Sequence, residues 1–138
     1  MKKLLFVFTI LFLIYSCDKN DEGIHIENDG TTMEEDIQAL SVLSLEILTL
    51  AESVQCNDPG TWKFIATGSK PCGGPMGYLA YSTTMGPVAT AAFLQSVALY
   101  NAMHEAFNIK WEIFSDCALV PAPSGVACVD GAAVLIYE

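Results

Sequence analysis

The sequence contains no arginine, and its six lysines face 16 aspartates and glutamates, for a formal net charge of −10 at pH 7. Binding nucleic acid needs clustered Lys/Arg to neutralise phosphates, so no nucleic-acid partner is expected. The bidentate phosphate clamp that arginine supplies is missing as well. There is no Cys-x-x-Cys, and His25 and His104 both lie far from paired cysteines, so no zinc site is expected. No Gly-x-Ser-x-Gly marks an activated serine. Carboxylates abound, but in so acidic a chain their number does not define an acid/base pair. No apolar run reaches the ~20 residues of a bilayer span. No internal repeat is visible, and 138 residues suffice for one domain but not two. No cofactor is expected.

The N-terminus is more informative. Met1-Lys2-Lys3 is basic, and Leu4 to Tyr15 is an apolar run of 12 residues, the length of a signal-peptide core. The run ends Ile14-Tyr15-Ser16-Cys17, with a branched aliphatic, then a small residue directly before cysteine, as in a bacterial lipobox. The expectation is a lipoprotein signal peptide over 1–16, cleaved before a thioether-lipidated Cys17. The alternative is an ordinary secretory signal that happens to contain Cys17. Two or three acyl chains together anchor a protein firmly, whereas one is marginal. Cleavage removes Lys2 and Lys3 and leaves four lysines against 16 acids, a charge of −12. Anionic headgroups repel such a surface, so the membrane partner is reached through the lipid. The expected location is the cell envelope, at the outer membrane, facing the periplasm or the surface.

Residues 17–32 carry Asp18, Asp21, Glu22, Glu27 and Asp29 with one lysine, interrupted by Gly23 and Gly30. Such a segment cannot bury enough apolar surface to offset its ordering entropy and reads as an acidic tether. Asp18, Asn20, Glu22, Gly23 and Asp29 fall at calcium-loop spacing, but the closing glutamate and the entering helix are missing. From residue 33 to 138 the pattern is that of one small α+β domain: two helices packed on a short antiparallel sheet. Thr32-Met33-Glu34-Glu35 is a capping box, opening a helix to about Ser53 with a wide apolar stripe. Trp62 to Thr67 and Tyr78 to Ser82 read as strands. Gly86-Pro87 opens a second helix ending near Asn108. Trp111 to Val120 is mixed and is grouped with the strands. Val126 to Val129 and Ala133 to Tyr137 form a hairpin, because Asp130-Gly131 suits a type I′ turn.

With Cys17 committed to lipid, Cys56, Cys72, Cys117 and Cys128 remain, an even set that points to two disulfides in an exported domain. Three connectivities are possible. The local pairs Cys56–Cys72 and Cys117–Cys128 are favoured, each closing 10–15 intervening residues and contributing roughly 3 kcal/mol through chain entropy.

Lys70, Gly73 and Gly74 share a loop. Two glycines can aim backbone N–H groups at an anion; the plainer reading is a tight turn beside a disulfide. Tyr78, Tyr81 and Trp111 are candidate exposed aromatics of a recognition surface. His104, with Glu105 or Asp116, is the candidate hydrolytic group.

The string Gly68-Ser69-Lys70-Pro71-Cys72-Gly73-Gly74-Pro75, then Tyr78 and Tyr81-Ser82, then Ser115-Asp116-Cys117, Pro123 and Cys128 resembles small exported lipoproteins of Bacteroidota and other Gram-negative bacteria. The resemblance spans roughly residues 56 to 130 and implies an exported, disulfide-bonded domain. It implies no activity. The leading functional expectation is therefore a non-enzymatic binding module of the cell envelope. One version is an inhibitor of a basic enzyme, because a strongly negative surface steers a cationic partner. The alternatives are an envelope hydrolase using His104 with a nearby carboxylate, and a purely structural lipoprotein.

Overall fold

The structure, a computed structural model, describes residues 30–137. The expected signal peptide, Cys17, His25 and most of the segment read as an acidic tether lie outside the described residues. The elements run α1 (Met33–Ala51), β1 (Trp62–Thr67), β2 (Gly77–Ser82), α2 (Pro87–Lys110), β3 (Gly125–Val129) and β4 (Ala132–Ile136). Single 3-10 turns precede β1 and follow β2. This is an α+β domain with two disulfides, and among the described residues no helix is long and apolar enough to cross a membrane.

Helix α1 starts where its chemistry dictates. The Thr32 hydroxyl accepts from the Glu35 N–H at 3.3 Å, and the Glu35 carboxylate accepts from the Thr32 N–H at 2.7 Å. Glu34, Glu35 and Asp36 fill the first turn, where the helix dipole favours negative charge. Helix α2 starts at Gly86, whose φ of 88° only glycine adopts without strain, followed by Pro87. It continues two residues past the expected stop, through Lys110, with Trp111 as C-cap. The helices run antiparallel. Lys110 and Trp111 at the end of α2 meet Asp36 at the start of α1, and Ile47 and Ala51 share a core with Phe93 and Val97.

The sheet is not one unit. Strands β1 and β2 form one antiparallel pair, and β3 and β4 form another. The first hairpin is the middle layer. On one face, Ile65, Leu79 and Tyr81 pack into the helices, with the Tyr81 and Phe93 rings 5.0 Å apart. On the other, Trp62 and Ala80 pack with Val126, Cys128, Ala133 and Leu135 of the second hairpin. Apolar residues on both pleats make this hairpin a strand pair buried from two sides. The second hairpin therefore stacks on the first instead of extending it. Its turn is as the sequence implies: Asp130 and Gly131 both have positive φ, 50° and 81°.

Two expectations are corrected. The disulfides are Cys56–Cys128 and Cys72–Cys117, not the local pairs. Cys56 precedes β1 and Cys72 follows it, so six strand residues, roughly 20 Å of extended backbone, separate them. A disulfide requires Cα atoms within about 7 Å. The Cys56 N–H instead donates to the Gly131 carbonyl at 2.8 Å, holding Cys56 against the second hairpin. Residues 111–120 are irregular, not a strand. Glu112 and Cys117 adopt positive φ, which breaks a ladder, and the Cys117 and Ala118 N–H groups donate to the Ser115 and Asp116 side chains.

Candidate functional site

The loop bearing Lys70, Gly73 and Gly74 is a structural clamp. The Gly73 N–H donates to the Lys70 carbonyl at 2.8 Å, and the Lys70 N–H donates to the Gly74 carbonyl at 2.9 Å. With φ of 89° and 82° at the two glycines, this is the tight turn, and the Gly73 donor is spent within it. The Lys70 ammonium reaches across to Asp116 at 3.1 Å and to the Ala118 carbonyl at 2.6 Å. Cys72–Cys117 binds the same two loops. The Asp116 carboxyl is held below the usual carboxylate range, first by the Ala118 N–H and then by Lys70. Asn108 on α2 completes the clamp by donating to the Ser69 carbonyl at 2.7 Å.

Under this clamp lies a cavity of about 310 Å³, lined by Lys70, Met76, His104, Ile113, Phe114 and Ser115 among others. His104 is flanked by the rings of Tyr100 and Phe107, 5.7 and 6.2 Å between centroids. Its Nδ1 is buried and hydrogen-bonds to neither Asp116 nor Glu105. Asp116 is turned outward to Lys70, and Glu105 is exposed. The structure does not bring the three groups into one constellation.

The aromatic candidates separate. Tyr81 is buried in the helix-facing core and is not exposed as expected. Trp111 is half-buried; its indole N–H donates to Asp36 at 2.9 Å, and Lys110 lies 5.1 Å from its ring centroid. It ties the helices together. Tyr78 alone borders an open groove.

That groove measures about 390 Å³ and lies where the three layers meet. Its walls are the end of α1 (Ala51, Glu52, Val54, Gln55), Tyr78 to Ala80 of β2, Trp62, and Gly131 to Ala133 with Leu135. The interior is apolar and aromatic; the rim is polar. Glu52 is the C-cap of α1, and the last turn of that helix contains no basic residue. A carboxylate thus sits at the negative end of the helix dipole, an unfavourable placement. The volume falls within the range of small-ligand sites.

No family model, curated protein or solved structure matches this chain.

Sequence reasoning missed Glu52, Gln55, Trp62 and Leu135 as groove residues. One signal was present: an acid closing a helix whose last turn holds no Lys, against the usual pattern. The remainder carried no signal, because the groove is made by stacking one hairpin on another.

Proposed function

We propose that this protein is a non-enzymatic binding module of the cell envelope, held to the membrane by an acylated Cys17, with a basic protein as its partner. The groove between α1 and the second hairpin is the contact point. The observation that carries this reading is a groove of about 390 Å³ whose lining includes Trp62, Tyr78 and Glu52, on a chain with a net charge of −10. Apolar and aromatic walls supply contact area, and the acidic surface steers a cation toward it.

The test is calorimetry of the purified full chain against cationic envelope and host enzymes, such as lysozymes and proteases, with an acidic protein as control. Binding that weakens steeply with salt, and inhibition of the bound enzyme, are the expected results. If every cationic enzyme tried remains unbound at low ionic strength, the reading is wrong. Mass analysis of the native N-terminus checks the anchor: a mature chain beginning anywhere other than at acylated Cys17 removes it. The hydrolase alternative rests on one observation, the cavity beside His104, and needs a carboxylate partner that His104 does not have among the described residues.

A further inference from the structure

The groove's chemistry specifies more than a basic partner in general. Granted its role as the contact point for a basic protein, we infer that the groove receives a single lysine or arginine side chain of that partner. The hydrocarbon stem lies against the apolar wall, and the charged head sits at the end of α1. Three features of the site converge on that occupant. The wall is formed by Trp62, Tyr78, Ala80 and Leu135, which match a methylene stem, since lysine and arginine stems pack on apolar surface while their heads stay wet. Tyr78, half-buried among the lining residues, brings an aromatic ring, a group that attracts a cation held near its face. The rim adds the Glu52 carboxylate and the C-terminal end of α1, two negative features whose proximity costs stability until a cation joins them.

No lysine of the described residues lines this groove. Lys70 is held by Asp116, and Lys110 is at Asp36. A carboxylate ligand is disfavoured by the same rim. A neutral apolar ligand would fill the wall but leave Glu52 and the helix end as they are.

The test is a heteronuclear NMR titration of the full chain with butylamine, with N-acetyl-lysine methylamide, and with pentanol and pentanoate as uncharged and anionic controls. The two amines are expected to shift Glu52, Tyr78 and Ala133 saturably, and the controls are not. Glu52→Gln should weaken the amines roughly twofold to fivefold, the range for an exposed charge contact. Ala132→Lys, which places a tethered cation at the exposed rim, should abolish their binding. A cationic enzyme that binds the chain should displace butylamine. The inference is overturned if pentanol binds as well as butylamine, if pentanoate shifts the same residues, or if sedimentation shows a second copy covering the groove. It is also overturned, with the broader binding role left standing, if a cationic enzyme binds wild type, Glu52→Gln and Ala132→Lys equally and leaves butylamine in place.

Discussion

Asp36 and Trp111 stand 75 positions apart in the chain, and the indole N–H of one meets the carboxylate of the other at 2.9 Å. Lys110 joins them at 2.8 Å from the same carboxylate oxygen, and the Thr31 hydroxyl donates to the other oxygen at 2.8 Å. One aspartate thus closes the antiparallel helix pair and ties Thr31, just ahead of α1, to the end of α2.

That node makes stability depend on acid. The bonds from Lys110, Trp111 and Thr31, in that order, hold the Asp36 carboxyl below its ordinary value of 3.8. A carboxyl depressed in the folded state adds stability that is present above 3.8 and lost as pH falls through the folded value. Asp36→Asn is therefore expected to unfold at a lower temperature than wild type near neutral pH, with the gap narrowing below pH 3.8. Melting curves across acid pH check this; a gap independent of pH would refute it.

The two disulfides should differ in resistance to reductant. Cys72 and Cys117 are both exposed, whereas Cys56 is 2 % exposed beneath the second hairpin. Attack by a thiolate requires access to the sulfur. Timed reduction and alkylation, read by mass spectrometry, should label Cys72 and Cys117 first. Taken singly, each bridge is worth about 4 kcal/mol by chain entropy, more than the shorter local loops would give. Labelling of Cys56 and Cys128 at the same rate would contradict the burial argument.

Phe93 has no solvent exposure and stacks on Tyr81 where both helices meet the middle hairpin. Phe93→Ala is expected to cost about 3–5 kcal/mol, the range for emptying an aromatic site in a packed core. Urea denaturation measures it. A loss below about 1 kcal/mol would mean that the site collapses freely.

Two glycines with similar φ should respond differently to alanine. Gly68 has φ of 71°, and a Cβ there would lie 2.9 Å from the Met76 Cβ; at Gly73, φ 89°, nothing lies within 4 Å. Gly73→Ala should cost about 1–2 kcal/mol from backbone strain alone. Gly68→Ala should cost more, because Met76 must move while the Gly68 N–H stays tied to Asn101 at 2.7 Å. Equal losses in denaturation experiments would refute the role of Met76.

Much of the fold could be read from short stretches of residues. Thr32 and Glu35, Gly86-Pro87, the alternation after Trp62 and the Asp130-Gly131 pair each act within a few residues, so their geometry follows from local chemistry. Tyr81 shows where that stops. An alternating strand says which residues share a face, but not that both faces will be covered, so a tyrosine that could have been a recognition residue became core.

Local sequence settled most of the elements and the acidic balance, since each depends only on neighbouring side chains or on a sum. Folding in three dimensions settled the partners: Cys56 with Cys128, Cys72 with Cys117, and Lys70 with Asp116. Those pairings depend on which hairpin stacks on which. That choice is made by the burial of two apolar pleats at once, a requirement no single stretch of chain expresses.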